Sequence, residues 1–142
     1  MTERSTRERT GHSVEEHTGE LQLRIDAPTL PELFEEAGRA LSEAMGAPRS
    51  NGPLVTKRIQ LDSVDREALL VDWLNELIFL SEVGRVFFRE FQVELPSDRH
   101  LVATVSGVKV ARLRNPVKAA TFHGLTITRR AGGFTATVVL DV

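Results

Sequence analysis

The chain carries at residues 69–80 the sequence LLVDWLNELIFL, whose apolar residues cover far more than one stripe of a helix. A surface helix is apolar on one stripe only, so this pattern predicts a helix that is buried on most sides. Asp65 is its predicted N-cap, and we expect the helix to stop before Gly84. This helix is therefore expected to form the centre of the core, with Trp73 as an anchor.

A second helix is predicted over residues 30–45. Thr29 and Glu32 form the T-x-x-E pattern of a capping box, and Gly46 follows the last apolar residue of the stripe. Six further segments have the alternation or composition of strands: 21–26, 55–61, 86–95, 101–108, 125–130 and 134–140. The order β-α-β-α-β-β-β-β predicts an α+β fold, in which two helices pack on one face of a mainly antiparallel sheet.

Length and composition indicate one domain, since the chain has 142 residues, of which 41% are hydrophobic and 27% charged. Residues 1–13 are polar, so we expect a disordered tail followed by a single domain over 14–142. The absence of cysteine excludes disulfides, thiolate metal sites and cysteine nucleophiles. Apolar runs of at most four residues predict no membrane segment, and the polar N-terminus does not resemble a secretory signal. We therefore expect a cytoplasmic protein.

The charge is unevenly distributed, although the net charge is only -2. Residues 99–140 contain seven Lys and Arg residues and no Asp or Glu, and four of the seven lie in a predicted loop over 109–120. Such a segment suits an anionic partner such as RNA, a nucleotide or an acidic protein surface. The alternative is that acidic helices and basic strands compensate each other within one compact fold.

Candidate metal ligands lie at the two ends of the predicted domain. Glu20 begins the first predicted strand, and Asp141 and Val142 end the chain. If the first and last strands are neighbours, these carboxylates converge and suit a hard divalent cation such as Ca²⁺, Mg²⁺ or Mn²⁺, which takes oxygen ligands. The alternative is that they are unrelated solvated carboxylates.

Three further polar residues are candidates for site chemistry. His17, close to Glu20, suits an acid/base pair or a structural hydrogen bond, and His123 has the same two interpretations. Lys118 suits a phosphate or a surface carboxylate. Motifs for phosphate-binding loops, dinucleotide sites, zinc proteases and serine hydrolases are all missing from the sequence.

Four short motifs, taken in order, resemble the archease family. The sequence HTGE at 17–20 resembles the family's His-Thr-Ala-Asp, and WLNEL at 73–77 is similar to its Trp-Leu-x-Glu-Leu. KAATFHGL at 118–125 resembles Lys-Ala-Val-Thr-Tyr-His-x-Leu, and the chain ends in Asp-Val as the family does. The resemblance covers about Glu15 to Val142, with glutamate at position 20 where the family has aspartate.

The resemblance implies a chaperone-like accessory protein that is not itself an enzyme and has no catalytic residues. Archeases assist the RNA-splicing ligase that joins 3′-phosphate or 2′,3′-cyclic phosphate RNA ends to 5′-hydroxyl ends in tRNA processing and RNA repair. They promote guanylylation of the ligase and its multiple turnover, so contact with RNA would be indirect. Carried over to this chain, a divalent cation would be held by Glu20, Asp141 and the α-carboxylate of Val142, while His17, Lys118 and His123 would organise the adjacent loop and partner surface.

Two other classes of function stay open from the residues. One is a metal-dependent enzyme that acts on a phosphorylated small molecule, with His17 as its acid/base group. The other is a ligand-binding or nucleic-acid-binding module that uses the basic loop, with an RNA affinity that falls steeply with salt.

Overall fold

A computed structural model describes residues 10–49 and 52–142. Within them the chain forms seven strands and two helices: β1 (Gly11–His17), β2 (Glu20–Ala27), α1 (Leu30–Met45), β3 (Leu54–Asp62), α2 (Arg66–Gly84), β4 (Val86–Ser97), β5 (His100–Lys109), β6 (Ala119–Arg130) and β7 (Gly133–Asp141). All neighbouring strands are antiparallel, in a four-stranded sheet of order β1-β2-β7-β6 and a three-stranded sheet of order β3-β5-β4. The predicted α+β class is confirmed, with the strands divided between two sheets.

The core lies on the helix side of both sheets. In β2, alternate residues from Leu23 onward are buried and the intervening positions form a mostly polar outer face. In β7 burial is more continuous, because the outward-facing Thr135 and Val139 are buried as well. Helices α1 and α2 contact strands of both sheets, so one core serves the whole domain. Trp73 of α2 is fully buried in this core, as predicted. Its indole Nε1 donates to the Phe34 carbonyl of α1 at 2.8 Å, and its ring packs edge-on against that of Phe91.

Both helices begin where capping predicts. Thr29 accepts a hydrogen bond from the Glu32 N–H at 3.3 Å, and Asp65 accepts one from the Ala68 N–H at 2.8 Å. The end of α2 differs slightly from the prediction, because the helix includes Gly84 and the left-handed residue is Arg85, with φ 53°. Neither helix in the described part of the chain combines the length and the apolar content needed to cross a bilayer.

Strand β1 was not predicted. It begins at Gly11, so residues 11–13 of the expected tail are ordered, while residues 1–9 lie outside the described residues. The strand has little apolar content, and hydropathy alternation therefore gives no signal for it. Its order comes from pairing with β2 and from His12, which reaches the side of α1.

His12 is held between two glutamates of α1. Its Nδ1 lies 2.7 Å from Glu36 Oε2, its Nε2 hydrogen-bonds Glu43, and Arg39 Nε donates to Glu36 at 2.8 Å. Burial lowers the pKa of His12, but the hydrogen bonds and charges of Glu43 and Glu36 outweigh that effect and raise it above 6.5. Burial alone would raise the pKa of Glu36, but His12 and Arg39 lower it on balance.

These shifts predict a stability that depends on pH. The contribution of His12 is complete below about pH 6.5, the pKa of the unfolded chain, and is lost as the pH rises through the raised pKa of the folded protein. The stability contributed by Glu36 is complete above pH 4.5 and is lost as the pH falls through the lowered pKa of Glu36 in the folded protein. We therefore expect His12→Gln to cost more stability at pH 6 than at pH 9.

The measurement is urea unfolding of the wild type and His12→Gln across that pH range. The difference between the two proteins cancels the titration of groups that do not interact with His12, and Glu36, which does, titrates well below this pH range. A difference that stays constant from pH 6 to pH 9 would show that the imidazolium form of His12 does not stabilise the fold.

Candidate functional site

Strand register brings the two predicted carboxylate ligands together. The first and last predicted strands are neighbours, and Glu20 lies directly opposite Asp141 in the β2–β7 pair. Directly opposed residues in an antiparallel pair share one face, with Cβ atoms about 4.5–5.5 Å apart. That face is the polar outer face of the four-stranded sheet. The predicted cation site required the first and last predicted strands to be neighbours, and they are.

Main-chain hydrogen bonds draw three segments to this end of the sheet. The Val142 N–H donates to the Gly19 carbonyl at 3.2 Å, and the Lys118 N–H donates to the Asp141 carbonyl at 2.8 Å. The turn before β2, the segment before β6 and the residues after β7 therefore meet around the carboxylate pair. A bound ligand at this position would contact all three segments.

The carboxylate pair has no compensating cation in the described part of the chain. Glu20 is half-buried and Asp141 exposed, and no Lys, Arg or His of residues 10–49 and 52–142 forms an ion pair with either. Two neighbouring anions repel each other and favour a bound cation. No group of three His, Asp or Glu side chains that could hold a metal occurs in those residues, so further oxygen ligands would come from the main chain, from Val142 or from water.

His17 lies beside the pair without bonding to it. It is opposite Glu20 in the β1–β2 register, and its side chain is 57% exposed. Its Nε2 lies 3.7 Å from Glu15 Oε1, so its nearest carboxylate contact is with Glu15 and not with the pair. The imidazole is therefore available to a partner molecule at the edge of the carboxylate site.

The structure separates His123 from Lys118. Lys118 is tied to the carboxylate end through its main chain. His123 lies in a bulge of β6, because the register passes from Thr121 opposite Val139 directly to Thr126 opposite Thr137. His123 is exposed in this bulge beside Phe122, which is 61% exposed. No hydrogen bond or ion pair in the described part of the chain links His123 to the carboxylates.

Asn75 is a positioning residue that sequence reasoning missed. Its Nδ2 donates to the Ala120 carbonyl at 3.2 Å, and its Oδ1 accepts the Ala120 N–H at 2.8 Å. The Asn75 amide thus hydrogen-bonds both main-chain groups of Ala120, two residues after Lys118, and fixes the start of β6 to α2. The signal was present, because an amide between Leu74 and Leu77 of a largely buried helix needs hydrogen-bond partners when it is partly buried.

On the helix side of the same sheet end lies a cleft of about 520 Å³. Its lining combines two glutamates with apolar side chains from β1, β2, α1 and the segment before β6, including Val14, Glu16, Leu21, Glu43, Val117 and Val142. The carboxylate end therefore has a concave, acidic and apolar surface on one side and the polar sheet face on the other.

Two basic residues of the predicted anion-binding loop have structural roles. Lys109 Nζ donates to the Gly84 carbonyl at the end of α2, at 2.9 Å, and Arg114 Nη1 donates to the Ala47 carbonyl just after α1, at 3.2 Å. Cations at helix C-termini satisfy free carbonyls and oppose the helix dipole. These two side chains are therefore engaged by main-chain carbonyls at the ends of the helices.

Comparison with known proteins identifies the family of this chain. The model of the Archease protein family matches residues 12–142. Protein archease of Methanosarcina mazei is 34% identical over 135 residues, which cover 89% of this chain and 92% of that protein. Protein archease of Methanothermobacter thermautotrophicus is 34% identical over 119 residues, 80% of this chain and 85% of that protein.

Two solved structures are similar in fold. The solution structure of a Methanobacterium thermoautotrophicum protein has a TM-score of 0.70 and 28% identity, and covers 93% of this chain and 99% of that one. The crystal structure of an archease and possible chaperone from Thermotoga maritima has a TM-score of 0.66, with 90% and 94% coverage. Its 23% identity supports the fold alone. The family match over residues 12–142, together with the identity to curated archeases, shows that this chain belongs to the archease family.

Proposed function

We propose that this archease is an accessory protein of an RNA-splicing ligase, and that it promotes guanylylation and multiple turnover of that enzyme. We further propose that Glu20, Asp141 and the α-carboxylate of Val142 hold a divalent cation, Ca²⁺ or Mg²⁺/Mn²⁺. The observation that carries the proposal is the pairing of Glu20 with Asp141 across β2 and β7, at an end of the sheet where three chain segments meet.

The donor chemistry fits a hard cation. Both side chains supply carboxylate oxygens, share one face and lack an ion-pair partner among residues 10–49 and 52–142. Glutamate at position 20 carries its carboxylate one methylene further from the main chain than aspartate would. This reach suits binding of a cation between the two strands through both oxygens of Glu20, with Asp141 on the other side. A cation bound here would supply positive charge for phosphate or carboxylate oxygens of the partner.

The surrounding residues hold and present this site. Asn75 fixes the start of β6, and the main chain of Lys118 is hydrogen-bonded to that of Asp141, so the carboxylate pair lies on a rigid sheet end. His17 and Lys118 lie at its border, and we propose that they contact the ligase. The exposed bulge with Phe122 and His123 extends the same partner surface along β6.

The test is ligase turnover on RNA with a 3′-phosphate, with GTP and divalent metal, using the ligase from the same source. We expect the wild-type protein to raise multiple turnover and Asp141→Asn to remove most of that stimulation, because the variant keeps the shape of the side chain and loses its charge. Glu20→Asp should retain stimulation and Glu20→Gln should lose it. Calorimetric titration of Ca²⁺ and Mn²⁺ should show affinity at least about tenfold weaker for Asp141→Asn.

Asp98→Asn is the matched control, because Asp98 is exposed in the turn before β5 and lies away from the carboxylate pair. It should stimulate as the wild type does. Full stimulation by Asp141→Asn would overturn the cation site, and failure of the wild type to stimulate would overturn the accessory role. Turnover of nucleotides or phosphoesters by this protein without ligase would instead favour the metal-dependent enzyme.

A further inference from the structure

We propose that the β6–β7 hairpin, with Arg66 of α2, forms a second site that binds phosphate groups, separate from the carboxylate pair. The hairpin contributes Arg129, Arg130 and Phe134. It lies at the opposite end of the four-stranded sheet, because β7 runs from Gly133 at the hairpin to Asp141. At about 3.4 Å per residue the two ends are roughly 25 Å apart.

The site is a depression of about 530 Å³. It is lined by Pro28 and by the hairpin residues Arg129, Arg130, Ala131, Gly132, Gly133 and Phe134. Its volume is enough for one or two phosphate groups with bound water.

Two guanidinium groups stack on one aromatic ring beside this depression. The central carbon of the Arg129 guanidinium is 5.5 Å from the centroid of the Phe134 ring, and that of Arg66 is 5.8 Å from it. The Arg66 guanidinium also donates to the Ile127 carbonyl at 3.3 Å, whereas that of Arg129 forms no hydrogen bond or ion pair within residues 10–49 and 52–142 and keeps its N–H edge available. A planar edge of this kind suits bidentate hydrogen bonds to phosphate oxygens.

The nearby acids neutralise the other arginines but not Arg129. Arg66 lies 3.7 Å from Glu67, and Arg130 and Arg24 share Asp26 at 3.4 and 3.9 Å. Asp65, next to Arg66, accepts the N–H that caps α2. Arg130, Arg24 and Asp26 lie on the outer face of the sheet, whereas Arg129 shares the face of Phe134 and has no acidic partner among residues 10–49 and 52–142, so its positive charge is available.

The turn adds main-chain donors and an open approach. Arg130 lies opposite Gly133, which leaves Ala131 and Gly132 outside the strand ladder, with their N–H groups unused by strand pairing. Gly132 has φ 83° and no side chain, so a ligand can approach the main chain there. A Cβ on Gly133 would lie 2.3 Å from the Ala27 carbonyl, and this contact seats the hairpin against residues 27–28.

This chemistry favours phosphate over an acidic protein surface. Protein interfaces usually have an apolar centre, whereas the one aromatic ring here is already occupied by two guanidinium groups. Guanidinium edges combined with turn N–H groups are the donors that bind phosphate oxygens. Such phosphates belong either to a nucleic-acid strand or to free phosphate compounds.

The test has two measurements on the full-length protein: fluorescence anisotropy of labelled single-stranded RNA at 50 and 200 mM salt, and calorimetric titration of pyrophosphate at 50 mM salt. We expect binding that weakens with salt and is about tenfold weaker in Arg129→Gln at low salt. Arg129→Lys should recover part of the affinity because it restores the charge. Arg58→Gln is the matched control, since Arg58 is exposed on β3 of the three-stranded sheet, away from the hairpin and from the basic loop over 109–120.

If the protein binds pyrophosphate but not RNA, and Arg129→Gln weakens the affinity for pyrophosphate, the site is supported and its ligands are free phosphate compounds. No binding of either ligand by the wild type at 50 mM salt would overturn the proposal. An equal loss in Arg129→Gln and Arg58→Gln would also overturn it, by showing a general charge effect. Circular dichroism checks that each variant is folded. The assay contains no ligase, so its failure leaves the proposed accessory role untouched.

Discussion

Replacing Trp73 with alanine is expected to lower the free energy of unfolding by about 3–5 kcal/mol, the usual cost of deleting a large buried aromatic side chain. Trp73 is fully buried, packs edge-on against Phe91 and bonds the Phe34 carbonyl. The loss combines the transfer of apolar area, the cavity left in the core and the lost hydrogen bond. A domain of this size has a total stability of about 5–15 kcal/mol, so the variant should be near unfolding.

The measurement is urea unfolding followed by far-UV circular dichroism, because Trp73 is the single tryptophan and its replacement removes the fluorescence signal. Trp73→Phe should cost less, since it keeps an aromatic ring and loses the N–H donor. Phe79→Ala is the matched control, because Phe79 is an aromatic residue on the same helix that is 56% exposed, and its change should stay within about 0.5 kcal/mol. Equal losses at Trp73 and Phe79 would contradict the central position of Trp73.

Gly107→Ala should destabilise the protein by more than about 4 kcal/mol or prevent folding. Gly107 lies in β5, the central strand of the three-stranded sheet, opposite Phe88 of β4. A Cβ there would be 2.1 Å from the Phe87 carbonyl oxygen and 2.6 Å from the Phe88 Cα. Both contacts are with main-chain atoms, so no side-chain rotation can relieve them and β4 would have to move away from β5.

Soluble yield and the midpoint of urea unfolding measure this effect. Gly11→Ala in β1 is the matched control, because a Cβ at Gly11 meets no atom within 4 Å and its φ is not positive. We expect Gly11→Ala to keep the wild-type midpoint. A Gly107→Ala protein with the wild-type midpoint would show that β4 and β5 are not as close as the structure has them.

The elements that sequence predicted best are those whose signals are local. The helix starts at Thr29 and Asp65 were predictable because a capping side chain bonds a main-chain N–H only three residues away. The all-round apolar pattern of α2 likewise predicted its burial. Strand β2 was predicted within one residue at each end, since alternation records which face is buried.

The elements that were missed or shortened depend on distant partners. Strand β1 has a polar sequence, and His12 finds its partners Glu36 and Glu43 across more than twenty residues of chain. The predicted loop ended at Ala120 and the predicted strand began at Leu125, yet Ala119 to Thr121 pair with β7 and Ala120 bonds Asn75. Neither hydropathy nor spacing contains that information.

For the candidate site, too, sequence predicted some features and the tertiary structure decided others. The sequence supplied its chemistry, because Glu20 and Asp141 are carboxylates at strand ends and resemble family motifs. Their meeting depended on the β2–β7 register, and a register shift of one residue would place them on opposite faces. The position of His123 was decided by the bulge in β6, which no spacing rule predicts.

By itself, the sequence determined the class of fold, both helices, the buried Trp73 and the family. Each of these rests on local patterns or on ordered motifs along the chain. The tertiary structure alone decided the division into two sheets, the order of β1 and the clustering of Arg66 with Arg129 at one end and of Glu20 with Asp141 at the other. The physical reason is that strand pairing and side-chain contacts between distant residues depend on which surfaces the whole fold brings together.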